Sequence, residues 1–233
     1  MFESRKRHHF SLLSLALGLF ALLAVAVPLA AAGAGALCGT GRNAGICFAS
    51  VDRGGKLSGA DRARLEAAAP VAIDIVGSRR FAAELAAFHA ALPARWVKQN
   101  RYWRGFDPVA APKAVRAAFA GLHIDTRGGA RARADARFGG NLAYEGSTDP
   151  RTGERFILLN RYRLDRPVAG LVSTYVHEAS HKAGYSHRPG QTPDQKCEPP
   201  YVMAQLARKL AEPDSWASFA ASKNACRFWR KMP

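Results

Sequence analysis

The sequence predicts an α+β domain, a small twisted sheet packed on helices, and two observations carry that expectation. Most of the chain after residue 57 has apolar residues at helical spacing, broken by Pro and Gly. One interval, residues 137–160, instead shows two short apolar runs, Leu142-Ala143-Tyr144 and Phe156-Ile157-Leu158-Leu159, on either side of the turn-rich Gly146–Gly153.

At the N-terminus, Arg5, Lys6 and Arg7 precede an apolar run from Phe10 to about Val27, and Ala34-Gly35-Ala36 fits the small-residue pattern cut by a signal peptidase, so residues 1–36 read as a signal peptide. The run is also near the roughly 18 residues at which a membrane anchor becomes an alternative. Either way, the basic flank stays inside and residues 37–233 lie outside the cytoplasm, as one domain. Leu37 before Cys38 argues against a lipid anchor, because that position requires a small residue.

From Ser58 to about Trp96 the spacing of Phe81, Leu85, Phe88 and Leu92 predicts helix, with Ser58 or Asp61 as N-cap and Pro70, Gly77 and Pro93 as punctuation. Arg101-Tyr102-Trp103-Arg104-Gly105-Phe106 is an aromatic and basic cluster suited to packing on the core or to lining a groove. A short helix is expected around Pro112–Leu122, then the hairpin at 137–160. Another helix should run from Pro167 to about Ala183, with Asp165 as its N-cap. Pro199-Pro200 opens a further helix through Leu210, and Trp216–Phe228 reads as helical again.

Composition narrows the partners. The formal charge is +16, and the leader accounts for only two of those charges, through Arg5, Lys6 and Arg7 against Glu3. Such an excess favours anionic surroundings such as components of a cell envelope. The basic residues are scattered and no DNA- or RNA-binding signature accompanies them, so nucleic acid is not expected as a partner. Four cysteines (Cys38, Cys47, Cys197, Cys226) in an exported chain read as two disulfides. Three pairings are open; Cys38 with Cys47 and Cys197 with Cys226 close the short loops. No C-x-x-C pair supports a cysteine-zinc site. A thiolate of Cys38 or Cys47 holding a metal latent is the competing use of the first pair.

The chemistry concentrates in His177-Glu178-Ala179-Ser180-His181-Lys182-Ala183-Gly184-Tyr185-Ser186-His187. Two histidines four residues apart lie on one helix face, since about 3.6 residues make a turn. Both imidazoles can therefore reach one metal. A catalytic zinc takes three protein ligands and leaves a fourth position open. Gly184 can end the helix in the left-handed conformation and let His187 return as the third ligand. Glu178, next to the first ligand, is placed to act as general base. Five fixed positions in this spacing arise by chance with a probability on the order of 10⁻⁴ in a chain of this length. His89 and His123 fall outside the pattern.

This H-E-x-x-H-x-x-G-x-x-H run resembles the motif of the metzincin metallopeptidases. The resemblance covers residues 177–187 and implies a zincin-like domain with one catalytic Zn²⁺, acting on protein or peptide. It further implies an edge strand above the motif helix that pairs with extended substrate, expected at Phe156–Asn160, and a methionine turn below the metal, for which Met203 is the candidate. In some metzincins a tyrosine near that methionine contacts the metal or the transition state. Tyr201 is the residue available, although it precedes Met203. Arg188 follows the third histidine, so no subfamily can be assigned. Glu198 as third ligand in place of His187 is the other metal arrangement open to the sequence. Two other functions share these residues: a non-catalytic zinc-stabilised envelope binding module, and a hydrolase of peptide cross-links in cell wall.

Overall fold

The computed structural model describes residues 37–53, 55–138, 143–144, 152–189 and 192–231. The leader and its cleavage site therefore lie outside the described residues, as do Leu142 and most of the hairpin turn. Among the described residues no helix is long and apolar enough to cross a membrane.

The long helical stretch divides into α1 (Gly59–Val76), α2 (Arg79–Ala91) and α3 (Ala94–Gln99). Ser58 caps α1, its hydroxyl accepting from the Asp61 amide at 3.1 Å, and Ser78 caps α2 in the same way through Phe81. Gly77 and Pro93 mark the breaks, but Pro70 lies inside α1 without ending it. The next helix, α4, spans Ala110–Ala118, after which Gly121 takes a left-handed φ of 71°.

The sheet has four strands in the order β1-β2-β4-β3: β1 (Ser50–Val51), β2 (His123–Arg127), β3 (Ala143–Tyr144) and β4 (Phe156–Asn160). The expected antiparallel pairing is present, Ala143 opposite Leu159 and Tyr144 opposite Leu158. β4 is not an edge strand, which corrects the expectation for Phe156–Asn160. β2 pairs with its other side in parallel, His123 opposite Phe156 through Arg127 opposite Asn160, and β3 takes the edge. The reason is the polar strand β2, which buries only Ile124 of its five residues. A helix that the sequence does not announce, α5 (Ala130–Phe138), comes after β2.

The motif lies on α6 (Val168–Lys182). Pro167, not Asp165, occupies its N-cap; Pro167 fixes its own φ and its carbonyl takes the first amide, Gly170 N–H, at 2.9 Å. α6 is packed from both sides. The small residues Ala68, Ala69 and Ala72 of α1 are fully buried, and the Tyr175 hydroxyl donates to the Leu65 carbonyl at 3.1 Å, tying α6 to α1. On its other side lies α7 (Pro199–Ala211), through Val202, Met203, Leu206 and Ala207. The stretch expected to be helical from Trp216 to Phe228 stops at Ala221 (α8) and resumes as a 3₁₀ turn at Arg227–Lys231. That turn places Trp229 4.2 Å from Phe88 and Phe228 5.1 Å from Trp96, ring centroid to ring centroid. The aromatic packing closes the core at the end of the chain.

Both disulfides form as the short-loop pairing anticipates, Cys38–Cys47 and Cys197–Cys226. With both pairs closed there is no free thiolate to occupy a metal.

Candidate metal centre

α6 presents His177 and His181 one turn apart, and their Nε2 atoms stand 3.1 Å from each other. The helix then ends as its sequence anticipates. Gly184 has φ 92°, its amide donates to the His181 carbonyl, and the Tyr185 amide reaches back to Ser180, which is a Schellman closure. A Cβ at Gly184 would meet nothing within 4 Å, so the demand for glycine is conformational. Three residues on, His187 brings its Nε2 to 3.3 Å from that of His177. The ligand atoms of all three histidines lie within 4.8 Å of one another, and no other such group occurs among the described residues.

The far side of each ring is engaged. His181 Nδ1 lies 2.9 Å from the Tyr185 carbonyl and His187 Nδ1 2.8 Å from the Arg188 carbonyl. The backbone of Pro200 lies close enough to the His177 imidazole to raise its pKa, against the larger effect of burial. With the proton on Nδ1 the Nε2 lone pairs are directed at one another, the arrangement by which backbone carbonyls orient metal-bound histidines; the Gln195 amide nitrogen also lies 3.0 Å from His187 Nδ1. Lone pairs so placed repel unless a cation lies between them. Burial, followed by the charges of His181, His187 and Lys196, holds the His177 imidazole well below its ordinary pKa, so a proton is a poor candidate for that cation. Tetrahedral coordination with metal–nitrogen bonds of about 2.0–2.1 Å separates ligand nitrogens by about 3.3 Å, close to the 3.1 and 3.3 Å here. The three histidines form a group able to hold a metal ion.

Around them the other sequence candidates sort clearly. Glu178 is 6 % exposed and close enough to Tyr201 to influence its phenol. Tyr201 sits in the first turn of α7 with its ring 4.5 Å from His177 and 4.8 Å from His187. Burial, reinforced by Glu178 and Glu198, pushes its pKa up and keeps the hydroxyl protonated. Met203 is fully buried in the body of α7, where the backbone is helical and no separate methionine turn exists. Glu198 is also fully buried, but its carboxylate accepts from the Arg188 amide (2.7 Å) and Arg188 Nε (2.6 Å) and so is committed elsewhere than to a metal. His89 stacks on Trp103 and His123 Nδ1 faces the Ser50 hydroxyl at 2.8 Å; neither joins the cluster.

Several supporting residues escape a reading of the sequence. Asn100 Nδ2 approaches Glu198 at 3.5 Å, and Trp103 Nε1 donates to the Cys197 carbonyl at 2.8 Å. Gln205 is a buried amide that binds three ways: it donates to the Lys196 carbonyl and accepts from the Cys226 amide and Trp229 Nε1, each at 2.8 Å. The aromatic and basic cluster divides between core and surface. Trp103 and Phe106 are buried, while Arg101, Tyr102 and Arg104 line a cavity of about 430 Å³ whose other wall is Gly184, Tyr185 and Ser186, the residues leading into His187.

The chain matches no family model, and no curated protein or solved structure is significantly similar to it. The metal centre therefore stands on its own geometry, a three-histidine site in a domain whose two disulfides suit an oxidising compartment outside the cytoplasm.

Proposed function

We propose that this protein is an exported, zinc-dependent endopeptidase of metzincin-like type, delivered by residues 1–36 as a signal peptide. The observation that carries the proposal is the convergence of His177, His181 and His187 beside a buried Glu178, because a purely structural zinc fills its fourth position with protein and has no need of that carboxylate. Three imidazoles suit zinc among the metals available to such a ligand set. When bound, zinc supplies Lewis-acid polarisation of the substrate carbonyl and lowers the pKa of water to about 7.

The chain's own residues do the rest. Glu178 takes the proton of the attacking water and passes it to the departing amine. Tyr201, protonated and against two of the ligands, is positioned to donate to the oxygen on which negative charge develops. The Arg188–Glu198 pair and the Tyr185 and Arg188 carbonyls hold the His181 and His187 imidazoles in place through the reaction.

The test is metal content together with peptide and cell-wall-peptide hydrolysis for the wild type and for Glu178→Gln. The variant should keep its metal and lose about 10²- to 10⁴-fold in rate. Full activity in Glu178→Gln would remove the mechanism. A wild type that binds one zinc and hydrolyses neither substrate would favour a binding module whose basic surface holds an anionic envelope partner.

A further inference from the structure

We propose that Lys196 is a specificity residue that anchors a carboxylate of the substrate beside the scissile bond. The inference rests on the peptidase reading and names the substrate class that the site prefers. Lys196 Nζ stands 4.8 Å from the centroid of the Tyr201 ring, and the same ring lies 4.5 and 4.8 Å from the imidazoles of His177 and His187. The ammonium and two of the metal-binding imidazoles thus border the same phenol ring, a neighbourhood spanned by adjacent residues of an extended peptide, which advances about 3.3–3.6 Å per residue.

The backbone of Lys196 is held in place. Its carbonyl accepts from the buried Gln205 amide at 2.8 Å, and the next residue is Cys197, bonded to Cys226. A half-buried ammonium normally finds an acidic partner, as Lys209 does with Glu84 at 2.7 Å. Lys196 forms no ion pair among the described residues. The acids nearest to it in sequence are engaged, Asp194 with Arg227 at 3.0 Å and Glu198 with Arg188. Burial lowers its pKa, and its charge is among the lesser causes that hold the His177 pKa down. A partly desolvated cation with a π-face beneath it and no counter-charge among the described residues is complementary to an anion arriving from solvent, and the reduced local dielectric strengthens that attraction. In a peptide the anion is a carboxylate, either of an acidic side chain or of a free C-terminus.

Three versions of one peptide separate the sources: a neutral peptide with an amidated end, the same peptide with Glu flanking the cleaved bond, and the neutral peptide with a free carboxylate adjacent to that bond. With the zinc-loaded protein, one of the carboxylate forms should exceed the neutral form by about 10- to 100-fold in kcat/KM, mainly through KM. In Lys196→Met that ratio should fall to near one, and Lys196→Arg should restore most of it. A wild type without preference, a ratio unchanged in Lys196→Met, or a ratio abolished instead by Arg101→Ala or Arg104→Ala at the neighbouring cavity would each overturn the assignment. Should the wild type hydrolyse none of the three, the peptidase reading fails by itself. Calorimetric binding of the same peptides to wild type and Lys196→Met then decides the anchor, a carboxylate preference lost in the variant supporting it and equal binding by both proteins overturning it.

Discussion

His181 and His187 reach the same point from two kinds of backbone, and they are held there by different means. His181 is placed by the helix that carries it: i,i+4 spacing sets it beside His177, and the Tyr185 carbonyl that orients its ring belongs to the helix's own C-terminal closure. His187 has no helix. Its position depends on the turn at Gly184 and on contacts made further along the chain, where Arg188 is fixed to Glu198 at the start of α7 and Gln195 donates to the Arg188 carbonyl at 2.8 Å. Two ligands are thus local products of sequence, and the third is a product of tertiary structure. The helical pair should tolerate changes in the scaffold that the third ligand does not.

The largest separation between the two should come from the Cys197–Cys226 disulfide. It closes a 29-residue loop around α7 and fixes the segment between Gln195 and Glu198 that supports His187. Replacing both cysteines with Ser should cost about 2–4 kcal/mol in urea unfolding. Cys38–Cys47, with a separation of only 9, should cost less, and without a change in metal affinity. Equal losses of metal affinity in both double variants would contradict the division.

Glu198→Gln is the next largest. It breaks a buried pair on the third ligand's side only, and should cost about 2–4 kcal/mol and weaken metal binding about 10- to 100-fold in competition with a chelator. An unchanged metal affinity would mean that His187 is placed without Arg188. Smaller again is Gly184→Ala, which forces a left-handed φ on a residue with a Cβ and should cost about 1–2 kcal/mol by thermal or chemical unfolding. The smallest is Tyr175→Phe on the helical side. It removes only the hydroxyl contact to Leu65 and should cost about 1 kcal/mol while leaving metal affinity as it was.

The same division separates the parts of the molecule that are legible in the sequence from those that are not. The motif helix, its two histidines and its glycine closure are set by local spacing and φ preference, and the short-loop pairing of the cysteines by chain proximity; His187 is legible only as a candidate, since tertiary contacts complete its placement. Tyr201 is ambiguous in the sequence because its distance from the histidines is set by how α7 docks on α6, which no spacing encodes. Met203 is suggested by resemblance alone and is a core residue of α7. Glu198 reads as a possible ligand because its partner, Arg188, lies across a fold-dependent gap. Strand β2 escapes notice because it buries only Ile124, and helix α5 because its sequence, rich in Ala and Arg, has no strong apolar period. That omission also makes β4 look like an edge. Asn100, Trp103 and Gln205 act through hydrogen bonds to residues brought near by the fold, and no local spacing encodes those partners, even where, as with Trp103, the residue itself stands in a conspicuous cluster.

One metal held jointly by two helical histidines and one turn-borne histidine is the centre of this account. Metal content after dialysis, measured by elemental analysis on wild type and on His177→Ala, His181→Ala and His187→Ala, tests it most directly. The account predicts one equivalent of zinc in the wild type and none retained in any of the three variants. Full retention in His187→Ala, or no metal in the wild type, would contradict it.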